Sequence, residues 1–141
     1  MKRKFFKKSL ICISLMFVCA CGSKNFEKMS FNDGEYEGKY ISEETPKSSM
    51  IVKIEIKDNK IISCTMEAYD AQDKIKDENY GLEAGEQKYA IAQKSVESMK
   101  KYPEKLLEVQ DPEKVDAEAG ATVSNKEFKS AVWDALEKAK K

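Results

Sequence analysis

Between Val115 and Phe128 the chain reads Val-Asp-Ala-Glu-Ala-Gly-Ala-Thr-Val-Ser-Asn-Lys-Glu-Phe. Asp116, Gly120, Ala121, Thr122 and Ser124 thus bring a carboxylate, a flexible glycine, a small methyl and two hydroxyls into nine positions. Ser124 with Glu127 three residues on has the spacing of a capping box, in which the serine accepts from the third helical N–H and the glutamate reaches back to the cap. That spacing predicts a helix starting at Asn125, with Thr122 two residues before it. Unpaired N–H groups and the positive end of the helix dipole meet there, so the chemistry on offer is the holding of an anion such as phosphate. Gly120 permits close approach of the backbone or a positive φ, and Ala121 keeps that approach clear. Asp116 is the awkward member, because a carboxylate repels phosphate, and its expected role is in loop shape or recognition.

The helix that must carry this site has an apolar stripe. Phe128, Ala131, Val132, Ala135, Leu136 and Ala139 recur at helical spacing, with Trp133 flanking them as a packing or rim residue. Upstream, Met50, Val52, Ile54 and Ile56 alternate with charged residues, and Ile62, Cys64, Met66 and Ala68 alternate in turn. Asp58-Asn59 between them tolerates positive φ, which predicts a hairpin with a tight turn. Gly34 to Tyr40 reads as another half-buried strand. Glu86 to Tyr102 reads as a helix closed by Pro103, followed by apolar anchors at Leu106, Leu107 and Val109. Asp70 to Gly85 reads as an acidic loop; its carboxylates lack the spacing of a calcium loop, and Tyr80-Gly81 within it could close over a ligand. Together these elements predict an α+β fold, a small antiparallel sheet with two main helices packed on it, in a single domain.

Composition narrows the chemistry. The 141 residues include no histidine, which removes histidine-ligated zinc and haem and any Ser-His-Asp or Cys-His centre. No metal site is expected. The first 20 residues hold five basic and no acidic side chains, leaving 20 basic against 25 acidic in the remainder. An acidic body repels nucleic acid, so that partner class is excluded. Redox chemistry, if present, has to come from a bound cofactor.

Asp116, two loose positions, Ala119, then Gly120-Ala121-Thr122 and a hydroxyl at Ser124 resemble the mark of the FMN-binding domain family. That family includes one subunit of the sodium-pumping NADH–quinone reductase and its Rnf-complex counterpart. The Asp33-Gly34-x-Tyr36-x-Gly38 opening is similar to the start of many members. The resemblance implies that Thr122 carries FMN through a phosphoester installed by a separate FAD-dependent flavin transferase, with Asp116 serving transferase recognition or loop shape. Ala119 departs from the Ser or Thr of many members, which removes one hydroxyl but leaves the attachment atom. An electron carrier serving redox partner proteins or a quinone-linked membrane complex is implied, not an enzyme with its own substrate.

The N-terminus predicts export. Met1–Lys8 is basic, and Ser9–Ala20 is an apolar run too short for a membrane span of about 20 residues. Val18-Cys19-Ala20-Cys21 resembles a bacterial lipoprotein cleavage box, which implies a lipid on Cys21 and a domain held at the extracytoplasmic face of the cell membrane. The expected organisation is signal peptide 1–20, tether 21–32 and domain 33–141. Cys64 is then the one remaining thiol and is given no function. The competing expectation is a surface lipoprotein that binds a ligand or partner protein without flavin.

Overall fold

The structure, a computed structural model, describes residues 25–43 and 47–141. The expected signal peptide and the expected lipidation site Cys21 lie outside the described residues. Three strands, β1 (Gly34–Ile41), β2 (Ser49–Lys57) and β3 (Lys60–Tyr69), form an antiparallel sheet in the order β1-β2-β3. Helices α1 (Glu86–Met99) and α3 (Thr122–Ala139) are the long ones, and α2 (Tyr102–Val109) is a short third. The fold is the expected α+β domain.

Period-2 patterning explains the sheet. Met50, Val52, Ile54 and Ile56 all point into the core, where they meet Phe128, Ala131, Val132, Ala135, Leu136 and Ala139 of α3. Glu35, Glu37, Lys53 and Thr65 stay exposed on the opposite face. The predicted turn is present: Lys57 pairs with Lys60, and Asp58 and Asn59 take φ of 50° and 62°, as a two-residue turn with both central residues left-handed requires.

The β3 alternation needs one correction. A register shift sets Glu55 opposite Ser63 but Ile56 opposite Ile61, so Ile62 is the extra residue of a bulge. Ile61 is buried, and Ile62, predicted to face inward, is exposed.

Asn59 does more than turn the chain. Its Oδ1 accepts from Phe31 N at 2.7 Å and its Nδ2 donates to Met29 O at 3.3 Å. Phe31 is buried, stacks near Phe26 at 5.3 Å and bridges to Lys140, while Asn32 N donates to Ala139 O. The packed domain therefore begins before Asp33, and residues 26–32, read as tether, are its first layer. Two aromatic rings in that short polar run supply the reason. Asn59→Val loses the favourable positive φ and strands the Phe31 N–H, and it is expected to cost about 2 to 4 kcal/mol in urea unfolding. Asn59→Gly keeps the turn and loses only the side-chain bonds, so it should fall between that variant and the parent.

Pro103 also acts differently from expectation. Helix α1 ends at Met99, and Pro103 opens α2 instead of closing one long helix. Proline suits a first turn because the missing N–H has no helical partner there. Leu106, expected as an apolar anchor, is thereby buried on a helix. Gln110, at φ 62°, follows α2 and covers the β3 edge: its Oε1 accepts from Ile61 N at 2.8 Å and its Nε2 donates to Ile61 O at 2.9 Å. At the other edge Asp134 accepts from Lys39 N at 2.9 Å and Lys138 donates to Glu37 O at 2.7 Å, so α3 blocks β1 from further pairing.

Candidate functional site

The loop from Val115 to Ala121 enters α3, and side chains distant in sequence hold it. Asn125 Nδ2 donates to Val115 O at 3.0 Å. Ser98 Oγ, one residue from the end of α1, donates to Ala119 O at 3.0 Å. Tyr102, fully buried, donates its hydroxyl to Ala121 O at 2.8 Å and accepts from Glu118 N at 3.1 Å, while its ring lies 5.6 Å from that of Phe128. Burial raises the Tyr102 pKa, which keeps the phenol neutral and able to donate. Glu118 pairs with Lys105 and, at 3.1 Å, with Lys101. Those hydrogen bonds hold its carboxyl below the usual range and raise Lys105.

Gly120 sits at φ +80° with no atom within 4 Å of where a Cβ would stand. What the position demands is the backbone angle, and the surrounding space is open. Ala121 is buried in the core, so its methyl packs inward and does not line the approach. Thr122 is exposed and is the first residue of α3.

The capping box does not form. Because the turn at Gly120 lets the helix start at Thr122, Ser124 already lies inside the first turn and is buried. Glu127 faces inward, where one carboxylate oxygen accepts from the Ser48 hydroxyl and the other has no partner among the described residues. The cap is Ala121, which has no side-chain oxygen to offer. The first internal bond of the helix is Asn125 N to Ala121 O at 2.9 Å, so the N–H groups of Thr122, Val123 and Ser124 precede it. No acidic residue stands in this first turn.

An exposed hydroxyl at the uncapped, positive end of an 18-residue helix, after a glycine with open space around it, suits a phosphate. Asp116 is exposed, and its carbonyl accepts from Lys105 Nζ at 3.4 Å. The expected site residues Asp116, Gly120, Ala121, Thr122 and Ser124 are thus gathered at one helix end, three of them exposed and two buried. The FMN-binding domain family matches residues 29–137. The chain belongs to the FMN-binding domain family. Its cofactor is FMN.

The fold of this FMN-binding domain is shared with a crystal structure of the CPE2226 protein from Clostridium perfringens. The two superpose with a TM-score of 0.60 at 20% identity, over 78% of this chain and 89% of that one. No curated protein matches.

Ser98, Tyr102 and Asn125 escaped the sequence reading. Ser98 and Tyr102 lie some 20 residues before the motif, and nothing in the linear order marks them as its supports. Tyr102→Phe keeps the ring against Phe128 but deprives Glu118 N of its acceptor and Ala121 O of one donor. It is expected to lower stability by about 1 to 3 kcal/mol and to speed amide exchange in residues 118–125 more than in the sheet. Equal exchange in both regions would show that the hydroxyl does not hold the loop.

Cys64 fits its lack of assigned function, since burial pushes the thiol up to about 12. Among the described residues no group of three acidic, cysteine or histidine side chains could hold a metal, and no helix is long and apolar enough to cross a membrane. Asp70 and Asp77 spend an oxygen each on backbone N–H groups of their own loop.

Proposed function

We propose that this domain is a membrane-anchored extracytoplasmic electron carrier with FMN joined by a phosphoester to Thr122, and not an enzyme with a substrate of its own. The observation that carries the reading is the placement of Thr122 as an exposed first residue of a long, uncapped helix, two positions after a left-handed glycine. When bound, the isoalloxazine supplies acceptance and release of one or two electrons. The chain supplies the rest. Thr122 Oγ1 is the attachment atom, and the N–H groups of the first turn face the phosphate charge. Tyr102, Ser98 and Asn125 hold the loop so that this end stays open. Asp116, exposed and beside Lys105, serves the shape of the loop or its recognition by a flavin transferase.

The test is co-expression of the mature domain with a flavin transferase. After denaturation the protein should remain fluorescent, gain the mass of FMN less water, and yield a modified peptide containing Thr122. A colourless domain beside an active transferase would favour a ligand-binding lipoprotein without flavin. Flavin lost on denaturation would mean that binding is non-covalent.

Membrane attachment is tested separately. Cys21→Ser should abolish labelling by a fatty-acid probe and leave unprocessed precursor; undiminished labelling would remove the lipid anchor from this reading.

A further inference from the structure

Of the six large hydrophobic side chains exposed among the described residues, three belong to the loop after β3 and to α1. Ile75 is 43%, Leu82 53% and Ile91 72% exposed. Ile75 and Leu82 line an open groove of about 800 Å³ together with Lys88 and Ala92 of α1, and Ile91, outside that lining, stands three residues from Lys88 on the same helix and flanks it.

This surface is held in place. Tyr89 Oη donates to Glu78 O at 2.7 Å, Gln93 Nε2 donates to Asp77 O and Tyr80 O at 3.0 and 2.9 Å, and Ile75 bridges to Tyr69. Gly81 comes so near α1 that a Cβ there would lie 2.8 Å from that of Ala92. The apolar side chains are therefore presented outward by a fixed backbone, which lowers the ordering cost of binding.

Residues 70–92 carry six carboxylates against three lysines, and one of those lysines, Lys74, is spent on Glu83 at 2.9 Å. An apolar centre inside an acidic rim complements a basic protein surface and repels anionic lipid. Three apolar side chains make a small contact, of the kind found in short-lived electron-transfer encounters, and the rim charge steers the approach.

We propose that this groove is the docking face for a basic electron-transfer protein, whose apolar contact residues seat on Ile75, Leu82 and Ile91 while its lysines and arginines meet the carboxylate rim. The electron-transfer character of the partner rests on the proposed function; the place and charge of the surface do not.

The probe is a basic c-type cytochrome, titrated into the isotope-labelled, flavin-free domain. Amide shifts should centre on residues 70–92 and weaken about tenfold or more between low salt and 0.3 M salt. Leu82→Ser with Ile91→Ser should weaken binding at least about fivefold with an unchanged circular dichroism spectrum. Glu35→Lys with Glu37→Lys, on the open sheet face, changes the net charge more and should alter binding less than about twofold. Shifts centred on the sheet, no binding, or equal weakening by both pairs of substitutions would overturn the proposal. So would self-association of the domain that the Leu82 and Ile91 substitutions abolish, since a second copy would then own the patch.

The flavinylated domain provides a second arm. Each fully reduced flavin gives two electrons to two haems and two protons to solvent, and the Leu82 and Ile91 substitutions should slow that reaction at least about fivefold. If no flavin attaches, the electron-carrier reading fails while the mapped shifts decide the docking face. If flavin attaches and the shifts map elsewhere, the docking face alone is lost.

Discussion

Thr122→Ala, expressed beside an active flavin transferase, should emerge folded and without covalent flavin. The loss is all-or-none because a phosphoester needs the hydroxyl oxygen, and alanine has none. Stability should change by no more than about 0.5 kcal/mol, since Thr122 is exposed and, among the described residues, no hydrogen bond of its side chain supports the loop. Its neighbour Ala121 carries the loop contacts instead, through the carbonyl shared by Tyr102 and Asn125. Thr122→Ser keeps the attachment chemistry and should remain flavinylated. The measurements are in-gel fluorescence, intact mass and thermal unfolding of the three proteins side by side. Covalent flavin persisting on Thr122→Ala would move the attachment to another hydroxyl and remove Thr122 from the site.

The largest effect on folding is expected at Gly38. Strand β1 crosses α3 so closely there that a Cβ would stand 1.9 Å from Ala131 O and 2.6 Å from Ala135 N. Both neighbours are helix backbone and cannot swing aside like the end of a side chain. Gly38→Ala therefore has to push α3 off the sheet, opening the contact between Ala131, Ala135 and β2 that forms the middle of the core. The cost should be about 3 kcal/mol or more, a large share of the roughly 5 to 15 kcal/mol that holds a domain together. Calorimetry should show a melting temperature lower by about 10 °C or more. An unchanged melting temperature would mean that the helix does not cross β1 at this glycine. The reason differs from that at Gly120, where space is open and the constraint is φ +80°.

The two glycines also mark different limits of legibility. Gly120 belongs to a motif whose spacing points to a backbone role, whereas Gly38 stands in an opening motif and an alternating strand that give no sign of a helix crossing there. Its role depends on a helix that begins 84 residues later.

Local patterns determined what neighbouring residues can settle among themselves. The alternation of Met50, Val52, Ile54 and Ile56, the positive-φ pair Asp58-Asn59, and the apolar stripe from Phe128 to Ala139 specified the hairpin and the core face of α3. Spacing around Thr122 was enough to point to the family that residues 29–137 match. Each of these rests on backbone geometry and side-chain period over a few residues.

Tertiary structure decided the rest. The Ser124–Glu127 spacing satisfies a capping box only if Ser124 lies outside the helix, and the left-handed turn at Gly120, with Ala121 tied to Tyr102, starts the helix at Thr122 instead. Pro103 is compatible with ending one helix or opening another, and the burial of Leu106 selected the second. Phe31 in a polar run became core because Asn59 and Lys140 lie where its backbone can pair. In each case the local pattern was compatible with two conformations, and contacts between residues far apart in the chain, which no short window of sequence contains, chose between them.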